Sequence, residues 1–232
     1  MVEERTMLGT WKIRKISESI VTAMLLAFAG GYLDIYTYVA RGKVFANTQT
    51  GNLVLLGANL AEGNTKKIVY YVMSIFFFCA GVALAKVVEC KYGEGHDFLW
   101  RHITLGIEIA ALAAVMFIPN GKNNILANSI ISFVCALQIQ SFRTVNGNSY
   151  STAMFTGNLK NAAEKLSEYA IHKEKKSLKN GIVYSLVIGM FILGAGVGDL
   201  VTRRYRERAV GFIDIVLLAV FILLFFEKKQ KE

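Results

Sequence analysis

The residues of this chain that could do chemistry are polar side chains set inside apolar runs. Asp34 stands about sixteen residues into an apolar stretch, where an unpaired carboxylate is costly. A carboxylate there either couples a proton or cation, contacts a substrate, or hydrogen-bonds exposed backbone. Shortly after it, Asn47, Thr48, Gln49, Thr50, Gly51 and Asn52 occupy the first half of the stretch 44–61, which is otherwise apolar enough to enter a membrane. Thr50-Gly51-Asn52-Leu53 recurs as Thr156-Gly157-Asn158-Leu159, an offset of 106. Thr, Gly and Asn in sequence do not continue a lipid-facing helix cheaply. Irregular backbone at membrane depth is tolerated where it is buried in protein or lines a wet cavity. Thr50 and Thr156 read as helix N-caps, and helices starting there would aim free N–H groups and a positive dipole end at the protein centre. Two such ends would suit an anion or carboxylate. A plain alternative is a polar loop followed by a surface helix, since the second copy carries Lys160, Glu164, Lys165 and Glu168.

Three further residues precede the second copy. Gln138 and Gln140 lie on nearly opposite faces of one predicted helix, and Arg143 closes it. Arg143 would pair with Asp34, grip an anion in a forked geometry, or snorkel to headgroups. At the offset of 106, Asp34 falls opposite Gln140, so a charge stands in one half alone. Glu108 and Asp214 keep that offset too, each early in the last apolar run of its half, and read first as interfacial or interhelical pairs. The candidate binding set is therefore Asp34, Asn47, Thr50, Gly51, Asn52, Gln138, Gln140, Arg143, Thr156, Gly157 and Asn158. No catalytic or metal-ligating set accompanies it. His96, His102 and His172 lack ligand spacing, and no nucleophile motif is present, so neither enzyme nor cofactor is expected.

The elements that must hold these residues follow from composition. The chain has 232 residues, 54% hydrophobic and 19% charged, with a mean hydropathy of +0.42. Apolar spans of about 18–25 residues recur, each long enough to cross a hydrocarbon core of roughly 30 Å. The expectation is an all-α integral membrane protein in one domain over 1–232. It is an internally duplicated bundle, with repeats at 18–119 and 124–227. Each half reads helix, broken segment, helix, helix, giving six full transmembrane helices plus two broken or re-entrant segments. The spans fall at about 19–40, 68–88, 102–119, 125–142, 181–202 and 209–226, and the breaks at 44–61 and 149–169. Asn146-Gly147-Asn148 is a turn signal before the second break. Whether the breaks cross decides whether the repeats are parallel or inverted. Ala80-Gly81-Val82 and Ala195-Gly196-Val197 extend the repeat, with a longer second linker.

The net charge of +9 belongs to residues flanking the spans, where it sets topology and meets anionic headgroups, rather than to a nucleic-acid surface. Lys and Arg are in excess on the side of the two termini under either scheme, which predicts cytoplasmic termini. The cluster Arg203, Arg204, Arg206 and Arg208 runs against that rule. The first 17 residues, with Trp11, Lys12, Arg14 and Lys15, read as an interfacial leader without a signal peptide. The three cysteines make no CxxC pair and imply no disulfide framework. Gly194-Ala195-Gly196-Val197-Gly198 is a helix-packing face, used inside the monomer or between copies in a homo-oligomer.

The stretches GGYLDIYTYVARGKVFANTQTGNLVLLGANLA at 30–61 and ALQIQSFRTVNGNSYSTAMFTGNLKNAAEKL at 136–166 resemble the YoaK-like family of bacterial membrane proteins, a family of unknown function. The resemblance covers nearly the whole chain. It implies a multi-pass protein of the bacterial plasma membrane, with no substrate or reaction attached. The family pattern falls on Gly31, Asp34, Phe45, Asn47, Thr50, Gly51, Asn52, Gln138, Gln140, Arg143, Gly147, Asn148, Thr156, Gly157 and Asn158.

Together these readings predict a small-solute permease with a central site between the two TGNL half-helices. Its partners would be the lipid bilayer and a small polar or anionic solute. The alternative is a non-transporting membrane scaffold or sensor, in which the TGNL regions pack tightly.

Overall fold

A computed structural model of the chain describes residues 16–92, 97–145, 147–150 and 155–226. The basic leader, His96, Asn146, the opening of the second break at 151–154 and the Lys-rich tail lie outside the described residues. Among those described, α1 spans Ile20–Ala40, α2 Gln49–Ala61, α3 Thr65–Tyr92 and α4 Asp97–Val115. The order continues with α5 Asn124–Ser141, a two-residue-per-strand hairpin (β1 Thr144–Val145, β2 Asn148–Ser149), α6 Phe155–His172, α7 Lys175–Tyr205 and α8 Ile213–Phe225. A 3-10 segment, Arg206–Phe212, joins α7 to α8. The chain is thus almost wholly helical, and both breaks are short helices preceded by irregular backbone.

Among the described residues, four stretches are long and apolar enough to cross a membrane: Ile20–Ala40, Thr65–Lys91, Asn124–Ser141 and the run Lys175–Phe225 through α7 and α8. Their outward faces carry exposed Phe76, Leu84, Val87, Ile192, Leu193, Leu200, Ile215 and Ile222. A soluble protein does not show so much contiguous apolar surface, and a bilayer covers it without cost.

The closest helix packing is α1 on α7 and α3 on α5. Small residues permit both. A Cβ at Gly31 would come within 2.1 Å of the Phe191 carbonyl oxygen, and one at Gly194 within 2.1 Å of that of Phe28. Across the other pair, a Cβ at Gly81 would lie 2.4 Å from the Phe133 carbonyl oxygen. Backbones this close gain dispersion contacts that larger side chains would forbid. The Gly-rich face of α7 is divided. Gly194 and Gly198 pack on α1 within the monomer, whereas Gly189 and Gly196 meet nothing.

Hydrogen bonds fix which helix ends lie together. Lys67 Nζ, near the start of α3, donates to the Gly42 carbonyl just past α1 (2.6 Å), and Tyr70 OH donates to the Gly121 carbonyl before α5 (3.4 Å). At the opposite end, Arg101 of α4 donates to Ser17 Oγ (2.8 Å) and to the Ser141 carbonyl (3.2 Å), and the His102 ring packs on Phe225. Residues 16–17 and 225, the two described ends of the chain, therefore share one end of the bundle.

The two short helices turn back on themselves. Asn52 in the first turn of α2 contacts Ser74 of α3, roughly 14 Å along α3 from its start, while the far end of α2 meets that start through the turn at Gly63. Phe155 at the beginning of α6 stacks on Phe191, roughly 24 Å along α7, and Glu168 near the other end reaches Ser177 (3.0 Å). Each short helix begins inside the bundle and ends beside the start of the next long helix.

Candidate functional site

Asp34 lies in the last third of α1, and its carboxylate is fully engaged. Oδ1 accepts from the backbone N–H groups of Asn47 (2.8 Å) and Thr48 (3.0 Å), and Oδ2 accepts from the Thr48 hydroxyl. These are the peptide groups just ahead of α2, where a helix leaves its N–H groups unsatisfied and its dipole favours a negative charge. The carboxylate therefore fills the anion position at the head of α2. Of the roles open to Asp34 in the sequence, the structural one describes its contacts.

The N-cap is Thr48, so α2 starts two residues ahead of the position expected for Thr50. Thr50 is exposed, and Gly51 packs against the Phe45 ring, which a Cβ would approach to 2.7 Å. Asn52 is wholly buried and imitates a strand partner for Phe45. Its Oδ1 accepts from the Phe45 N–H (2.9 Å), and its Nδ2 donates to the Phe45 carbonyl (2.5 Å) within reach of Ser74 Oγ (3.2 Å). Ser74 in turn bonds Ser132 of α5 (2.7 Å). Asn47 is buried beside them. The irregular segment 43–48 is thus satisfied from Asp34, Asn52 and Thr37, which accepts from the Ala46 N–H (3.2 Å).

The second copy is built differently. Asn158 is buried like Asn52, but Thr156 and Gly157 are exposed, and a Cβ at Gly157 would meet nothing. Thr156 lies inside α6, which begins at Phe155, and is not its cap. The start of α2 packs on α3 and that of α6 on α7, so the two TGNL ends are not brought together as a paired anion site. Arg143 and Gln140 do not approach Asp34 either. Both hold Glu89 at the end of α3, Arg143 at 2.5 Å and Gln140 at 3.2 Å.

Gln138 behaves otherwise. It is wholly buried, and neither its Oε1 nor its Nε2 has a hydrogen-bond partner. Asn128 and Cys135 share its face of α5, by helical spacing; both are buried, and Asn128 Oδ1 is also without a partner. Helix α5 packs on α4 and touches α1, and Ser141, one turn past Gln138, bonds Thr104 of α4 (3.1 Å). Glu108 is 0% exposed with both carboxylate oxygens unpartnered, and the charge that acts on it is Asp214 of α8, whose Oδ1 is unpartnered too. Buried polar atoms in native proteins are nearly always hydrogen-bonded. A file of them from Gln138 to Asp214, inside a bundle with an apolar exterior, is the region equipped to meet a polar ligand.

Sequence reasoning missed Arg41, the largest fully buried side chain. Its Nε donates to Tyr36 OH (2.8 Å), Nη1 to the Ile118 carbonyl (2.8 Å) and Nη2 to the Val115 carbonyl (3.1 Å). No carboxylate pairs with it among the described residues. Carbonyls at and just past the end of α4 take that place, where the helix dipole favours a cation. Its position directly after an apolar span looks like a headgroup anchor, and nothing local to it in the sequence marks it as buried.

Fold and interior together define a polytopic α-helical membrane protein with enclosed polar groups. The family description "Protein of unknown function (DUF1275)" matches residues 22–223, and the chain belongs to that family. It is similar to the UPF0700 transmembrane protein YoaK of Bacillus subtilis (strain 168), with 23% identity over 202 residues, 84% of this chain and 88% of the relative. No solved structure matches it.

Proposed function

We propose that this protein is a permease for a small polar solute, with six crossings arranged as two inverted repeats around the enclosed polar file. The observation that carries the reading is Gln138, a fully buried amide with neither end bonded. A scaffold would lose stability by keeping it, because an unsatisfied buried amide costs about 1–3 kcal/mol. A binding site retains such a group for the ligand's sake.

The architecture supports the same reading. At 13 residues α2 is roughly 20 Å long, short of the ~30 Å core, and it returns to the end of the bundle it left. Counting α1, α3, α4, α5, α7 and α8 as crossings makes the halves enter in opposite senses, as inverted repeats do. The leading contacts, α1 on α7 and α3 on α5, are unchanged when first and second halves are exchanged. With Asp34 filling the head of α2 and Arg41 held by carbonyls, the groups left for a solute are amides, a thiol and carboxyls. They suit a neutral polar solute better than an anion.

A thermal-stability screen of the purified full chain against sugars, polyols, amides, amino acids and small anions tests this, since a ligand bound only by the folded state raises apparent stability. A neutral polar solute should stabilise the wild type and enter proteoliposomes. Gln138→Leu should abolish that response while raising the solute-free melting temperature. A panel with no stabilising member, or a Gln138→Leu protein that binds as the wild type does, would sink the proposal.

A further inference from the structure

Glu108 and Asp214 stand in α4 and α8, two helices that pack together and run antiparallel. His102 meets Phe225 at one end of their contact, and a Cβ at Gly211, just ahead of α8, would come within 2.7 Å of Met116 Sδ at the other. The two acids stand 106 residues apart in sequence, on two helices that pack together. Neither Glu108 oxygen is bonded, and no cation is within ion-pair reach of Glu108 among the described residues.

An observation on another helix points to the same place. Helix α5 packs on α4, and Ser141 bonds Thr104 across them (3.1 Å), which sets the unpartnered Gln138 amide, one turn back along α5, level with Glu108 one turn further along α4. The nearby charges are spoken for elsewhere. Arg41 binds Tyr36 and the Ile118 and Val115 carbonyls, Arg101 binds Ser17 and the Ser141 carbonyl, and Glu89 of α3 binds Lys86, Gln140 and Arg143. Asp214 on α8, Cys135 on α5 and Asp34 on α1 are the other titratable groups on the helices around Glu108.

We infer that Glu108 is the proton-coupling group of the permease, the carboxyl that binds and releases the proton. The inference rests on the permease reading and assigns its coupling ion. In the step, a Glu108 oxygen takes a proton from a hydronium ion on one side of the membrane, forming an O–H bond as the hydronium O–H bond breaks to leave water. The Glu108 O–H bond later breaks to return the proton to water on the other side, with no change of redox state. Asp214, whose charge acts on Glu108, tunes the exchange because a neighbouring like charge disfavours ionisation. Intramembrane acids of this kind are typical of proton relays.

Infrared difference spectra of the full chain in lipid nanodiscs, taken as buffer pH is stepped, provide the test. A carboxyl C=O band should appear reversibly on acidification, shift in D2O, vanish in Glu108→Gln and move in Asp214→Asn. Spectra in Na+, K+ and choline buffers should coincide. Absence of a titrating carboxyl band, its survival in Glu108→Gln, or its loss specifically in Na+ would overturn the assignment. Glu108→Asp, which should keep a displaced band, decides the matter if Glu108→Gln does not fold. Once a solute is known, Glu108→Gln should lose pH-driven uptake. Uptake indifferent to pH and to this substitution would overturn the coupling while leaving the permease intact. With no solute found, the titrating band decides the proton site alone.

Discussion

At the scale of single residues, the first break is held by a few exact partners. Asn52→Ala should lower the melting temperature in detergent markedly, because it leaves the Phe45 N–H unpaired, at about 1–3 kcal/mol, and the Phe45 carbonyl with Ser74 Oγ alone. Thr50→Ala, one of the same polar run but exposed, should change it by no more than about 0.5 kcal/mol. Equal effects of the two would contradict the roles drawn from the geometry. The sequence already singled out Asp34, Asn52 and Gln138, because polar side chains inside apolar runs are conspicuous. It could not separate their fates. Whether Asp34 is satisfied depends on N–H groups thirteen and fourteen residues away, and whether Gln138 is satisfied depends on what other helices fail to offer it. Thr50 was the expected cap, but the Asp34 carboxylate draws Asn47 and Thr48 toward it and starts the helix earlier. Arg41 was invisible for a related reason: its ligands are carbonyls of a helix more than seventy residues downstream.

At the scale of elements, glycine positions discriminate between the two sides of α7. Gly194→Val should disrupt the α1–α7 contact and reduce the yield of folded protein, since its side chain would enter the Phe28 peptide. Gly196→Val, two residues on and facing nothing, should be accepted with near wild-type yield. A size-exclusion profile of both variants checks this. If Gly196→Val instead changed the oligomeric state, that face would be a contact between copies. The helices themselves were legible from apolar length, with ends within a few residues for α1 and α5. The loops were not. The hairpin at 144–149 makes the second α1–α2-type connection longer than the first, so a single offset of 106 cannot align both the spans and the breaks. That is why Gln140, placed opposite Asp34 by that offset, turns instead to Glu89.

At the scale of the molecule, the two turn-backs should open on opposite sides of the membrane. With Cys79, Cys90 and Cys135 replaced, single cysteines introduced as Asn64→Cys and Lys173→Cys should react with an impermeant maleimide from opposite faces of sealed vesicles. Labelling of both from one face would replace the inverted arrangement with a parallel one. Sequence alone left these two schemes tied, because the basic residues fall mainly beside the termini in both. The hydrogen bonds from Lys67 to Gly42 and from Arg101 to Ser141 favour the inverted scheme by pairing helix ends.

The close packing of α1 on α7 also bears on how the protein is made. Ribosomes add about 5–20 residues per second, so α1 enters the bilayer on the order of 7–30 s before α7 exists to cover it. For that interval the Gly30-Gly31 face and Asp34 have only lipid, the translocation machinery or the newly made α2 beside them. Asp34 and its α2 partners are separated by just thirteen or fourteen residues, so that lock can close almost at once. The nascent chain thus hides its most exposed charge locally, long before its distant neighbour arrives. Expressed as two fragments divided at Gly121, the halves should accumulate only together.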